Sequence, residues 1–185
     1  MVCDLQLYEG KNLDTVSQVE QLASYGSEIV ADYPKYTAAS AMVEAAERLT
    51  RENSNQQQYL LLLGGLRALA QSKYESSQIL DSYLLRSLAL SGWVPEFSEC
   101  HSCKSEAVVF FSIHTGFVSC ANCHIAGAVK LNSQGLQHMQ ALLIGAWDDI
   151  ETAAPETRST VSSVISAYLQ WQLERGMKSM SLVER

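Results

Sequence analysis

The sequence predicts a mainly α-helical fold: a helical-bundle domain carrying an inserted four-cysteine hairpin, with a short β-hairpin at its N-terminus. Three observations predict it. Apolar residues recur at helical spacing through most of the chain, strict alternation is confined to its first sixteen residues, and four of the five cysteines fall within 24 residues. The 185 residues sit at the upper edge of one ordinary domain, and 47% of them are hydrophobic, enough for a real core and too many for a disordered chain. No apolar run is long enough to cross a bilayer; the densest stretch is residues 59–63. Met1, Val2, Cys3 and Asp4 show no basic-then-apolar pattern, so no signal peptide is expected and the cytoplasm is the expected compartment. Thirteen Lys and Arg against twenty Asp and Glu give a net charge of −7, which argues against a chain that grips nucleic acid by bulk charge.

The elements follow in order. Leu5 and Leu7 alternate with Asp4, Gln6 and Tyr8; Glu9 to Asn12 read as a turn, and Leu13 to Val16 return. Residues 1–16 therefore form a hairpin, which needs partners because two strands bury no core alone. It is either the end of a larger β unit or an edge packed on helices. From Ser17 the period becomes helical, with Val19, Leu22, Ala23, Ile29 and Val30 near one face. Beyond Pro34, Met42, Val43, Ala46 and Leu49 repeat at helical spacing, and Glu44, Glu47, Arg48 and Arg51 turn mostly outward. Asn53, Ser54 and Asn55 make a loop with an N-cap. The next helix, 56–73, is so rich in leucine that it is expected to be the central one. Gly64 and Gly65 inside it each cost about 1 kcal/mol relative to Ala, which close approach of a neighbouring helix explains better than a hinge.

A further helix, 78–90, turns Leu80, Leu84, Leu85 and Leu88 inward and stops at Gly92. After the cysteines, Asn132 or Ser133 caps a helix that buries Leu136, Met139, Leu142 and Leu143 and leaves His138 at the surface or boundary. Residues 148–155 read as an acidic loop in which Asp148, Asp149 and Glu151 are solvated. The last helix, 156–175, carries Val161, Val164, Ile165, Tyr168 and Leu169 on one stripe, with Gly176 as its stop.

The cysteines are Cys100 and Cys103, then sixteen residues, then Cys120 and Cys123. Zinc takes four soft donors at tetrahedral corners, and two cysteines three apart on a tight turn present both thiolates to one ion. Residues 107–113 are strongly β-forming, His114, Thr115 and Gly116 make a turn, and Phe117 to Ser119 return, so a hairpin brings the second pair beside the first. The expected cofactor is one structural Zn²⁺. Four thiolates leave no open position for water, so the ion folds the segment and does no chemistry. His101 and His124 lie beside ligands and are the alternative donors. No phosphate loop, dinucleotide fingerprint or catalytic triad occurs in the sequence. Arg67 and Arg86 sit on apolar helices. They either pair with acids at the core's edge or mark the rim of a pocket for an acidic peptide or a phosphate backbone.

This order of features resembles the RecO recombination mediators of bacterial DNA repair. Leu7, Tyr8, Glu9 and Gly10 with Leu13 to Val16 look like the last strands of that family's N-terminal OB domain. Tyr36, Thr37 and Ala38 and the run Glu44 to Leu49 match its first long helix. Leu80 to Arg86, Leu88, Gly92 and Trp93 lead into the double CxxC as in zinc-bearing members, and Tyr168 to Arg175 with Lys178 and Ser179 look like its C-terminus. The resemblance implies a non-enzymatic mediator of the RecF pathway in the bacterial cytoplasm, associated with the nucleoid. It implies binding to single- and double-stranded DNA, annealing, and loading of RecA together with RecR and single-stranded-DNA-binding protein, whose acidic tail docks on the helical domain. Cys100, Cys103, Cys120 and Cys123 carry over as zinc ligands. Arg86 and Lys178 carry over as basic positions in matched segments, and Arg67 joins them as a candidate contact from the helical pattern alone. An OB barrel has five strands, and this chain has room for about two before its first helix. The expected domains are thus 1–16, an OB remnant, and 17–185, a helical domain with residues 97–131 as the inserted zinc hairpin. DNA binding by this chain is then expected to be weak, and the open strand edges allow a homodimer. The alternative is a zinc-stabilised helical adaptor or regulator outside DNA repair.

Overall fold

A computed structural model describes residues 2–51, 55–173 and 176–183. It begins with an antiparallel ribbon of β1 (Val2–Tyr8) and β2 (Thr15–Ala23). The expected helix from Ser17 is therefore a strand as far as Ala23. The reason lies in the register. Leu5 pairs with Val19 and Leu7 with Val16, and irregularities at Ser17 and Leu22 each insert one extra residue. A bulge lets Val16 and Val19, three apart, share one face of a strand, which imitates helical spacing. The opposite face carries Asp4 across from Glu20 and Gln6 across from Gln18. Ser17 Oγ donates to the Gln6 carbonyl at 2.9 Å and secures the bulge.

The helical body follows: α1 (Gly26–Val30), α2 (Tyr33–Leu49), α3 (Gln56–Ala70) and α4 (Ser76–Leu90), then α5 (Ser133–Ile144), α6 (Trp147–Thr152) and α7 (Pro155–Gln172). Asp32 caps α2 by accepting from the Lys35 amide at 3.1 Å, and Pro34 lies in its first turn, where a missing N–H costs nothing. Asn55 caps α3 through the Gln57 amide, and Asn132 caps α5 through the Gly135 amide, each at 2.8 Å. The expected loop partners Asn53 and Ser54 lie outside the described residues. Gly145, at φ +74°, closes α5 in the left-handed conformation that glycine reaches without strain.

The central helix is α4, not the leucine-rich α3. Ile79, Leu80, Tyr83, Leu84, Leu85 and Leu88 are all buried, and α4 packs on α2, α3, α5 and α7. Only Gln58 and Leu69 of α3 are buried, and Tyr59 and Leu60 face solvent. The polar residues of α4 are what disguise its position. Ser82 donates to the Leu142 carbonyl at 2.8 Å, Ser87 exchanges hydrogen bonds with Gln58 of α3, Asp81 accepts from Ser162 of α7, and Gln78 faces His138 of α5. Gln78, Asp81, Ser82 and Ser87 are thus each met by a partner from a neighbouring helix.

The two glycines of α3 differ. A Cβ on Gly65 would overlap the buried Met42 methyl and touch the Tyr83 ring, whereas Gly64 faces open space. The expected acidic loop at 148–155 is α6 and the start of α7. Asp148 and Asp149 occupy the first turn of α6, where the positive end of the helix dipole favours them, and Ile150 is buried beneath. His138, expected at the surface, is buried, with Nε2 2.8 Å from Gln78 Oε1. α7 ends at Gln172, and Glu174 and Arg175 of the expected last turn lie outside the described residues. A 3₁₀ turn, Ser179–Leu182, folds back on α2. Among the described residues, no helix is long and apolar enough to cross a membrane.

Between α4 and α5 the chain leaves the bundle to form a three-stranded antiparallel sheet, β3 (Val108–Phe111), β4 (Val118–Cys120) and β5 (Val129–Lys130), in the order β4-β3-β5. Phe111 roots it in the core, edge-on to Tyr168 of α7 with ring centroids 5.5 Å apart.

Candidate metal centre and basic groove

The β3–β4 hairpin places the two cysteine pairs together. Cys100 leads into a tight turn closed by two backbone bonds, Cys100 N–H to the Ser105 carbonyl at 2.8 Å and Lys104 N–H to the Cys100 carbonyl at 2.9 Å. Cys120 ends β4, and the Cys123 amide turns back to the Cys120 carbonyl at 3.3 Å. A backbone bond from His101 N–H to the Val118 carbonyl, 3.1 Å, ties one knuckle to the strand that delivers the other. All four Sγ atoms lie within 4.8 Å of one another, and no disulfide joins them.

The donor set fits a tetrahedral ion. Zinc–sulfur bonds of about 2.3 Å imply tetrahedron edges of about 3.8 Å. The Cys103 and Cys120 sulfurs are 3.7 Å apart. The electrostatics are those of a thiolate site. Backbone hydrogen bonds from Cys120 and Cys103 draw the Cys100 thiol down to about 6, and that from Asn122 lowers Cys120. Cys123 is pushed up to about 12 by the neighbouring Cys103 and Cys120 thiols, so without a cation the four cannot all ionise. A divalent cation removes that conflict.

Neither histidine beside a ligand joins the cluster. His101 lies flat on Phe117 and His124 flat on Phe110, both with centroids 4.1 Å apart, and His124 Nδ1 is 2.9 Å from the Ala121 carbonyl. His114, at the hairpin turn, stacks on Trp171 of α7 at 4.0 Å.

The structure separates the three basic candidates. Arg86, on α4, lines a groove of about 710 Å³ between α3, α4 and α6. Arg67 is exposed on α3 and is not among the residues lining that groove. Lys178 is exposed against α2, where its backbone N–H donates to Glu44 Oε1 at 3.0 Å. Sequence reasoning missed Lys73, Tyr74 and Trp147 of the groove. Tyr74 and Trp147 stack at 4.1 Å with planes 6° apart, and Lys73 Nζ sits 5.0 Å from the Tyr74 centroid. Trp147 escaped notice because it opens α6, whose remaining residues, from Asp148, were read as loop. The groove therefore has an apolar and aromatic floor with two cationic groups, Lys73 and Arg86.

Comparison with known proteins agrees with this architecture. The family model described as "Recombination protein O C terminal" matches residues 30–181, which is the helical body with its cysteine hairpin. The DNA repair protein RecO of Thermobifida fusca is 44% identical over 185 residues, covering 98% of this chain and 76% of the relative. The proteins of the same name from a Nocardioides species and from Streptomyces avermitilis are 41% and 43% identical, covering 98% and 95% of this chain and 77% and 72% of theirs. With a family model matched over most of its length and relatives above 40% identity across nearly all of it, the chain belongs to the RecO family of non-catalytic DNA-repair and recombination mediators.

Proposed function

We propose that the chain works as a mediator of the RecF pathway. It brings RecR and DNA coated with single-stranded-DNA-binding protein together so that RecA can load and complementary strands can anneal. The helical body is the partner-docking part, and the ribbon of β1 and β2 is the end of an OB unit that contacts DNA. Cys100, Cys103, Cys120 and Cys123 hold one zinc ion, which supplies cross-linking of the hairpin and no reaction chemistry. Apparent binding energies of structural zinc in small peptides reach about 10–16 kcal/mol, ample to order a short hairpin.

The observation that carries this reading is the groove beside α4. Leu60, Leu61 and Leu143 with the Tyr74–Trp147 stack offer apolar contact, while Arg86 and Lys73 offer positive charge. That combination suits an acidic peptide carrying apolar side chains, the acidic tail of single-stranded-DNA-binding protein being the proposed occupant, and an arginine holds a carboxylate with two parallel bonds. It also removes a difficulty, since a chain of net charge −7 works best in DNA repair through acidic protein partners met at a local basic site.

The test is titration of a fluorescein-labelled peptide of that tail, read by anisotropy. Arg86→Ala is expected to weaken binding about tenfold, in keeping with loss of a charge-assisted bond. Arg67→Ala should stay within about twofold, because it lies off the groove. Unchanged affinity for Arg86→Ala, or no binding by the parent chain, would remove the groove from this role.

A further inference from the structure

Arg86 lines the groove beside α4 without a partner of its own. It is partly buried, and it makes no ion pair or hydrogen bond with any described residue. Arg48, Arg51, Lys104 and Arg158 by contrast each meet a carboxylate. What Arg86 rests on is the C-terminal end of α5. A Cβ placed on Gly145 would stand 3.4 Å from Arg86 Nη1 and 3.9 Å from its Cζ. The negative end of the α5 dipole favours a cation at that place.

The α5–α6 junction beneath the guanidinium is fixed from several sides. One turn before Arg86 on α4, Ser82 Oγ donates to the Leu142 carbonyl at 2.8 Å. The Gly145 and Ala146 amides both donate to the Ala141 carbonyl, at 2.8 and 3.0 Å. Just beyond, Trp147 stacks on Tyr74 with centroids 4.1 Å apart, and Ile150 is buried. The junction therefore cannot retreat from a side chain added at position 145. The part that yields is the Arg86 side chain, which has several rotatable bonds. Position 145 thus needs glycine twice over. Its φ of +74° ends α5 in the left-handed conformation, and its bare Cα leaves the guanidinium room.

We propose that Gly145 is the positioning residue of the peptide groove: it lets the Arg86 guanidinium lie on the end of α5 in the one place where it meets a ligand carboxylate. Gly145 is not among the residues that line the groove, so it acts through Arg86. A bidentate arginine–carboxylate pair needs two parallel bonds in one plane, so a shift of the fork by a few tenths of an ångström already weakens it. The proposal rests on the reading of the groove as the docking site of an acidic peptide.

The two demands on position 145 rank substitutions differently. Asn tolerates the left-handed conformation better than Ala, so stability should fall in the order Gly, Asn, Ala. Ala adds one methyl and Asn a longer side chain, so peptide affinity should fall in the order Gly, Ala, Asn. The measurements are anisotropy with the same fluorescein-labelled tail peptide and urea midpoints, both on the whole chain. Gly145→Asn is expected to weaken binding about fivefold and Gly145→Ala about twofold, against about tenfold for Arg86→Ala. With Arg86→Ala already in place, Gly145→Asn should change affinity by less than about twofold, a coupling that a role in folding alone does not produce. Parent-like binding by Gly145→Asn, an equal loss in the Arg86→Ala background, or affinities that follow the urea midpoints would each overturn the proposal and leave Arg86-dependent docking standing. Binding unchanged by Arg86→Ala would remove the groove reading itself, and this proposal with it.

Discussion

Glu44 and Ser179 are 135 residues apart in sequence and joined by two hydrogen bonds. The Ser179 amide and hydroxyl donate to Glu44 Oε2 at 2.8 and 2.5 Å, while the Lys178 amide and Arg48 donate to Oε1. One carboxylate thus caps the 3₁₀ turn and pins the chain's last described segment, with the buried Met177 and Ser179, onto α2.

Glu44 predicts a specific pH dependence. Partial burial raises its pKa, but the bonds from the Ser179 side chain, the two amides and Arg48 outweigh that and hold it at about 2. A carboxylate whose pKa is lower folded than unfolded adds stability that is complete above the unfolded value of about 4.5 and lost as pH falls toward the folded one. Glu44→Gln is therefore expected to lose about 2 kcal/mol at pH 7. The gap to the parent should shrink as pH is lowered from about 4.5 toward 2. Urea unfolding at a series of pH values reads both; a gap independent of pH would show that the carboxylate charge is not what holds the turn.

The two glycines of α3 predict opposite signs. Gly65→Ala drives a methyl into the Met42 methyl and should destabilise by about 1–3 kcal/mol. Gly64→Ala meets open space and should stabilise by up to about 1 kcal/mol through helix propensity. Denaturant midpoints of the two variants are the measurement, and equal shifts would refute the close approach of α2.

For the cysteine cluster the expected outcome is about one zinc per chain by elemental analysis, when the protein is purified without chelator. Cys100→Ser and Cys123→Ser should both lose the metal, since each knuckle contributes two of the four donors. Treatment with a strong chelator should loosen the β3–β4 hairpin while leaving the far-UV helical signal mostly intact, because α2, α3 and α4 pack without it. Full metal content in either variant would break the assignment.

The cysteine hairpin was legible because its chemistry is local. The spacing of the pairs, the β-forming run and the turn between them specify one arrangement, and β3 and β4 fall where they were expected. The helices were legible in outline for the same reason, and the Asn55 and Asn132 caps do what their positions suggested. What failed depended on partners distant in sequence. Leucine density pointed to α3 as the centre, yet α4 holds it, because Gln58, His138, Leu142 and Ser162 supply the hydrogen bonds that let the polar residues of α4 be buried. His138 looked like a surface residue for want of knowing Gln78 lay opposite. The second strand was expected, but its continuation beyond Val16 to Ala23 was hidden by its own bulges. The peptide groove was half legible, through Arg86, and half not, since Tyr74 and Trp147 meet only after the bundle closes.

The hairpin turn has one further consequence. His114 rests on Trp171, and Gly116 sits against Tyr168, where a Cβ would strike the hydroxyl. The same turn must span the distance from the metal knuckles to the end of α7. The sixteen residues between Cys103 and Cys120 are then a ruler as well as a metal-binding spacing. A longer turn would still close around an ion, but its tip would overshoot α7, and Trp171 would lose its backing. Length in this segment is held by the bundle, not by the metal.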